Sequence, residues 1–245
     1  MASSETDKSQ IRYARLAGFM YLFIIAVYLL SVFITSRFEV PGNLVETAHR
    51  MMGSEMLYRV GLSLGILNML CAVLLAMGLY VVVKPVDSNL ALLAFVFELV
   101  YVAVGGAFDA IDFVFMKMQM GAGSMGSLNA RQLSVLVDLH SFVSLVGLNV
   151  TSIIYGAGSI LFFYLFLKSN YIPRLLAVFG LFASVLVPIM GFSFLIVPQP
   201  PQMLQLGWAP IFATEILVGL WLLFKGINLR PQGDVNLSSA TNSAG

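Results

Sequence analysis

Apolar residues occur along the chain in six long runs that are separated by shorter polar segments. The runs cover about 13–35, 56–83, 90–115, 135–167, 174–197 and 208–229. Each run has at least the ~20 residues that an α-helix needs to cross the ~30 Å of bilayer hydrocarbon. Backbone polar groups inside a bilayer must be satisfied within their own segment, so the runs predict helices. The pattern therefore predicts an all-α fold, a polytopic bundle of six transmembrane helices.

The polar segments add three features to this bundle. Residues 1–12 are predicted to form a polar, frayed N-terminal tail and residues 231–245 a disordered C-terminal tail, which leaves 13–230 as a single transmembrane domain. Over residues 43–55, apolar side chains fall on one side of a helix and polar ones on the other, which predicts a short amphipathic helix in the outer interface. The glycine-rich residues 121–126 predict a flexible link between the third and fourth spans.

Composition supports a membrane protein and excludes other classes. Of the 245 residues, 59% are hydrophobic and 10% are charged, whereas a soluble domain carries about 25% charged residues. Thirteen Lys and Arg residues against twelve Asp and Glu residues give no basic excess for binding nucleic acid. The single cysteine, Cys71, excludes a disulfide framework and a thiolate metal site. We therefore expect the lipid bilayer as a partner and no nucleic acid.

The distribution of basic residues predicts the orientation of the spans. Eight Lys and Arg residues fall on one side of the predicted bundle and four on the other. The eight are Lys8, Arg12, Arg15, Lys84, Lys168, Arg174, Lys225 and Arg230. Because cytoplasmic loops carry an excess of basic residues, we expect both termini to be cytoplasmic.

Ionisable side chains inside the spans are the main functional signal. Each costs at least ~2.5–3.5 kcal/mol on insertion scales, so it is expected to face protein or water. Most of them fall in the outer half of the predicted bundle, and four share one stripe of the third span because of their helical spacing. We therefore predict an outward-facing polar pocket between spans two, three, four and six, under the 43–55 helix. The predicted pocket residues are Arg59, Glu98, Tyr101, Asp109, Asp112, Asp138, His140 and Glu215.

Structural explanations remain open for several of these side chains. Arg59 could extend to the outer surface or pair with one carboxylate, and Asp138 could be the N-cap or first-turn acid of the fourth helix. His140 could be a hydrogen-bonded packing residue. Glu98 and Glu215 lie too far from a helix end to reach water along their side chains, so each must be neutral, paired or facing a wet space.

Three classes of function fit this pattern. Apolar surroundings rich in methionine and phenylalanine suit binding or transport of a small amphiphilic or lipid-like molecule. The alternative is a membrane enzyme with acid–base chemistry on a lipidic substrate, with Asp138, His140 and Glu98 as candidate catalytic residues. The third class is a structural or accessory subunit of a membrane complex. The sequence has no His-Glu-x-x-His motif and no paired histidines, so we predict no metal site, and it indicates no particular cofactor.

Several short motifs, taken in order, resemble an uncharacterised bacterial membrane family, domain-of-unknown-function family 4386. The resemblance covers about residues 15–228. It is carried by Arg15-Leu-Ala-Gly18, Val40-Pro41-Gly42, Ser54-Glu55 with Arg59, Lys84-Pro85-Val86 with Asn89-Leu90-Ala91, Asp138-Leu-His140-Ser141, Tyr171-Ile-Pro173-Arg174, Glu215 and Lys225-Gly226. It implies a multi-pass protein of the bacterial inner (cytoplasmic) membrane and no particular activity.

Overall fold

In a computed structural model, the described part of the chain contains six long α-helices. The structure describes residues 2–38, 40, 46, 50, 53–125, 130–197 and 206–229. The helices are α1 (Ala2–Thr35), α2 (Glu55–Val83), α3 (Ser88–Met125), α4 (Ala130–Ser169), α5 (Arg174–Ile196) and α6 (Trp208–Phe224). The predicted all-α class is confirmed. Five helices, α1 to α5, contain a segment long and apolar enough to cross a membrane, and α6 is a shorter apolar helix of 17 residues.

Several predicted boundaries differ from the structure: α4 begins at Ala130 rather than near 135, α6 ends at Phe224 rather than near 229, and the two largest differences are in α1 and α3. Helix α1 begins at Ala2, so residues 2–12 are helical rather than frayed, and helix α3 continues to Met125 through most of the predicted glycine-rich link. Both segments lack proline, so backbone hydrogen bonds can continue along the helix. Most of the amphipathic helix predicted over 43–55, and the whole tail 231–245, lie outside the described residues.

Two tight turns connect α2 to α3 and α4 to α5. The Asp87 carboxylate accepts a hydrogen bond of 3.1 Å from the backbone N–H of Leu90, which caps the start of α3. Asn170 has a φ of 56° and so ends α4 in the left-handed conformation. Pro173 is the N-cap of α5, where a missing backbone N–H costs no helical hydrogen bond.

The six helices form a closed ring. Each helix packs against the helices before and after it in the chain, and α6 returns to pack against α1. Helix α2 also touches α4 across the ring. Short connections favour antiparallel neighbours, so successive helices run up and down around the ring.

Both tight turns and both ends of the described chain lie at one end of the ring. Gln10 Nε2 donates to a carbonyl of the last turn of α2 at 3.0 Å, and Lys168 Nζ lies 3.5 Å from Asp87 Oδ2. The backbone N–H of Asn228 donates to the Tyr171 carbonyl at 2.9 Å. We call this the short-loop end, and the half of the bundle next to it the short-loop half.

The hydrophobic core is concentrated in the short-loop half. Phe162, Phe163 and Phe166 of α4 are at most 2% exposed, as are Val82 of α2 and Leu222 of α6. These side chains fill the space inside the ring at this level. On the outside of the bundle, by contrast, large apolar side chains are exposed on several helices, which is the arrangement expected of helices that face lipid. We call the other half of the bundle the cavity half, because its interior contains the cavity described next.

Candidate functional site

A cavity of about 630 Å³ lies inside the ring, and all six helices contribute to its wall. Its volume is within the range of about 300–1,000 Å³ that is usual for small-molecule sites. Most wall residues are aliphatic or aromatic. The polar residues in the wall, tyrosines aside, are Asn68, Glu98, Asn149, Thr151, Ser152, Ser159 and Glu215.

Glu98 places a carboxyl group in the wall from the first third of α3. It lies ten residues after Ser88, about 15 Å along the helix axis, and it is 8% exposed. A Cβ atom at Gly158 of α4 would lie 2.8 Å from Glu98 Oε1, so glycine at that position leaves room for the carboxyl group. In the described part of the chain, no ion pair and no hydrogen bond reaches the Glu98 side chain.

A second carboxyl group enters the wall from α6. The Tyr155 hydroxyl of α4 donates a hydrogen bond to Glu215 Oε1. The Tyr155 ring lies against the Tyr101 ring of α3, with the ring centroids 5.4 Å apart. These contacts connect α3, α4 and α6 around one side of the cavity, and they bring together three of the predicted pocket residues, Glu98, Tyr101 and Glu215.

Most of the smaller polar groups in the wall are already paired. Thr151 and Asn149 donate to carbonyls one turn earlier in α4, at 2.8 and 2.7 Å. Ser159 is paired with Ser184 of α5 at 2.8 Å. By contrast, the buried Asn68 Oδ1 of α2 has no hydrogen-bond partner among the described residues. The wall thus presents one carboxyl group, that of Glu98, that is free to accept hydrogen bonds from an occupant.

The charges in the wall have one sign. It contains two carboxyl groups, and none of the described residues that line it is Lys, Arg or His. A buried carboxylate without a countercharge is unfavourable in an apolar environment. The cavity is therefore either neutral through protonation of these groups or completed by a positive charge from outside the wall.

A separate polar cluster joins α3 to α4 beyond the cavity. Asp112 Oδ1 lies 2.9 Å from His140 Nε2 and accepts a hydrogen bond of 2.8 Å from the Ser144 hydroxyl. The His140 ring stacks on Phe115 with the centroids 4.8 Å apart. Ser144 donates to the carboxylate, so this cluster lacks the contact between serine and histidine that activates a nucleophile. Asp138 is exposed.

A third group of charges ties α2 to α3. Arg59 is paired with Glu55 one turn earlier in α2, and Lys117 Nζ of α3 lies 3.6 Å from Glu55 Oε1. Asp109 lies near Gly65 of α2, and its Oδ2 is buried without a hydrogen-bond partner among the described residues. The predicted pocket residues that do not line the cavity are therefore Arg59, Asp109, Asp112, Asp138 and His140.

The prediction also missed several wall residues. Tyr155 is the clearest, because it falls between Thr151 and Gly158 on the small and polar stripe of α4 at helical spacing. Tyr101 is predicted because it shares the helical stripe of Glu98 and Asp109, whereas Tyr155 has no charged residue on its own stripe near it in α4. Tyr21 of α1 and Trp208 of α6 also line the cavity, and nothing in the sequence separates them from ordinary packing residues.

The ring of apolar helices around a partly polar cavity defines an α-helical membrane protein. The chain belongs to the family described as Domain of unknown function (DUF4386), whose model matches residues 16–226. No curated protein and no solved structure matches the chain.

Proposed function

We propose that the chain crosses the inner membrane of a bacterium six times, with both termini in the cytoplasm. Helix α5 begins at the short-loop end, and the hydrogen bond between Asn228 and Tyr171 brings the chain after α6 back to that end. Helix α6 therefore runs from the opposite end of the bundle back to the short-loop end, and its 17 residues extend about 26 Å. The larger share of basic residues belongs to the short-loop end, which supports a cytoplasmic location for it.

The cavity supports a binding function best. We infer that it takes up a small amphiphilic or lipid-like molecule, with the protein acting as a receptor or carrier for it. The observation that carries this inference is a cavity of about 630 Å³ with an unpaired, buried carboxyl group in its wall. Polar groups in a membrane span are costly, so their presence in a cavity rather than in packed contacts favours a ligand site.

The composition of the wall indicates the kind of molecule. Aliphatic side chains such as Ile24 of α1 and Leu75 of α2 cover much of it, together with the aromatic rings of α4 and α6. Glu98, Glu215 and Asn68 are polar residues within this largely apolar surface. A ligand that matches both surfaces has an apolar body and a polar group, which is the definition of an amphiphile.

The acid–base alternative has weaker support. Its candidates Glu98 and His140 belong to different levels of the bundle, since His140 contacts Asp112, fourteen residues beyond Glu98 in α3. Fourteen residues of helix span about 21 Å. A single reaction centre would need both groups within hydrogen-bond reach of one substrate.

Fluorescence energy transfer from Trp208 to a bound neutral amphiphile tests the binding function. The chain has two tryptophans, so Trp221→Phe leaves Trp208, in the cavity wall, as the only donor. The purified protein in lipid nanodiscs is titrated with laurdan. We expect transfer that saturates, because the number of sites is fixed.

Two matched substitutions separate the cavity from the lipid around the protein. Ala72→Phe adds a ring inside the cavity, whereas Ala103→Phe adds the same ring at an exposed position of α3. We expect the first to remove the saturable component and the second to retain it, with both variants eluting as folded protein. Transfer that never saturates, or that is equal in the two variants, would contradict the proposed function.

A further inference from the structure

The charge expected of the ligand follows from the acidic residues of the cavity wall and from the lack of basic residues among its described residues. The wall contains the carboxyl groups of Glu98 and Glu215, and none of the described residues that line it is basic. Glu215 accepts a hydrogen bond from Tyr155. Glu98 is 8% exposed and has no hydrogen bond or ion pair within the described residues. A positive group on the ligand would supply the partner that Glu98 lacks, and removal from water makes such a pair strong.

The groups around the carboxyls also favour a cation. The rings of Tyr101 and Tyr155 lie side by side with centroids 5.4 Å apart, and Trp208 lines the same cavity. Aromatic faces attract positive charge, and tryptophan and tyrosine do so most strongly. An anionic ligand would instead meet two carboxyl groups.

The size of the cavity distinguishes an organic cation from a metal ion. A bare ion would leave most of the 630 Å³ unfilled, and hard metal ions need several oxygen ligands at one centre. Among the residues that the structure describes, no group of three or more His, Cys, Asp or Glu side chains is arranged to hold a metal. Apolar wall area is available for the body of a larger molecule.

We propose, on the basis of the function proposed above, that the ligand is an amphiphilic organic cation, with Glu98 as the group that neutralises its charge. Its apolar body lies against the aromatic and aliphatic wall. Glu215, held by Tyr155, lies beside the binding site as a second negative or polar group.

Two ions of the same shape and opposite charge test this proposal on the unchanged protein. Tetraphenylphosphonium and tetraphenylborate have nearly equal size and differ in the sign of their charge. Binding of each to the purified full chain in a neutral maltoside detergent is measured by equilibrium dialysis. We expect the phosphonium to bind about tenfold or more tightly than the borate. Equal affinities, or tighter binding of the borate, would overturn the proposal.

Substitution of Glu98 then tests whether its carboxyl group is the one that binds the positive charge of the ligand. Glu98→Gln keeps the size of the side chain and removes its charge, so we expect phosphonium affinity to fall about tenfold or more. Laurdan binding, measured as above, is expected to stay within about twofold, because a neutral ligand does not need the charge. Asp112→Asn is the matched control, since Asp112 lies outside the cavity, and it is expected to leave both affinities unchanged.

The two probes distinguish failure of this proposal from failure of the proposed function. If laurdan binds in the cavity and the two ions bind alike, the binding function stands and the cationic ligand is wrong. If neither laurdan nor phosphonium binds, both are wrong. The comparison of the two ions needs no variant, so it tests whether the ligand is a cation even if the Glu98→Gln protein does not fold.

Discussion

The two halves of the helix ring differ in how their interior is filled, although both are built mainly from apolar residues. In the short-loop half, Phe163, Phe166 and Leu222 fill the interior with side chains that are at most 1% exposed, and Phe162 lies where this half meets the cavity. In the cavity half, the same ring of helices encloses about 630 Å³ of space with Glu98 in its wall. The packed interior has extensive van der Waals contact between side chains, and the cavity lacks that contact.

The carboxyl groups of Asp87 and Glu98 follow the same division, while single buried polar atoms lack a described partner in both halves, Trp221 Nε1 among them. In the short-loop half, Gln10 donates to a carbonyl of α2, and Lys168 pairs with Asp87 between the two tight turns. In the cavity half, the buried Glu98 has no hydrogen bond or ion pair with the described residues, and Asn68 Oδ1 has no hydrogen-bond partner among them. Unpaired buried polar groups reduce stability. The difference indicates that the short-loop half holds the bundle together and the cavity half is available for function.

Truncating one phenylalanine to alanine in each half should give the largest difference in unfolding free energy. Phe166→Ala removes a fully buried ring from the short-loop half, which typically costs about 3–5 kcal/mol of unfolding free energy. Phe194→Ala removes a ring that borders the existing cavity, so it should cost less than about 1 kcal/mol because little new contact is lost. Thermal unfolding of the two variants in detergent measures the difference. Equal losses would contradict the division into a packed half and a cavity half.

Replacing the unpaired carboxyl should raise stability while it removes function. Glu98→Leu eliminates a buried polar group that has no described partner, so we expect an increase of about 2 kcal/mol in unfolding free energy without ligand. Glu55→Leu is the control, because Glu55 is paired with Arg59 and its loss leaves the guanidinium unpaired. The melting temperature should rise for the first variant and fall for the second. A fall for Glu98→Leu would indicate a structural role for that carboxyl.

The cluster of Asp112, His140 and Ser144 should have a smaller effect, limited to the contact between α3 and α4. Asp112→Ala leaves the histidine and the serine without their shared acceptor, at a cost of about 1 kcal/mol. Asp138→Ala, at an exposed position nearby, should leave the melting temperature unchanged. If Asp112→Ala abolished binding of laurdan or phosphonium while the protein stayed folded, the binding site would have to extend to this cluster.

The smallest effect is expected at the turn between α2 and α3. The hydrogen bond from Leu90 N–H and the nearby Lys168 ammonium lower the pKa of the Asp87 carboxyl. A lowered pKa in the folded state contributes stability above the unfolded pKa of about 3.9, and this contribution is lost as the pH falls through the folded pKa. Asp87→Asn keeps a capping side chain without the charge. Its slightly lower melting temperature at neutral pH should therefore converge with that of the parent protein in acid, and divergence in acid would contradict the argument.

Hydropathy alone was sufficient for most of the fold. The runs that begin near Met56 and Arg174 match α2 and α5 to within a residue or two, because a bilayer requires long apolar helices whatever their neighbours are. Helix α3 extends ten residues beyond its predicted end at Phe115. Outside the hydrocarbon, apolar length no longer sets where a helix ends, so hydropathy could not locate this boundary.

The site was only partly predictable. Glu98 and Glu215 stand out because charged groups at bilayer depth are rare and costly. Their shared cavity depends on the packing of α3 beside α4 and of α6 beside α1 and α5. Asp112 and Asp109 share the helical stripe of Glu98, yet they lie nearer the other end of α3 and contact different partners.

The sequence by itself determined that this chain is a bundle of membrane helices, because the cost of exposing backbone and charge to lipid acts on each segment separately. Only the tertiary structure decided which buried polar groups line the cavity and which pair with a neighbouring helix. That outcome depends on how far each residue lies along its helix and on which helices become neighbours in the ring. Both are properties of the packing of the whole bundle, and no single segment carries them.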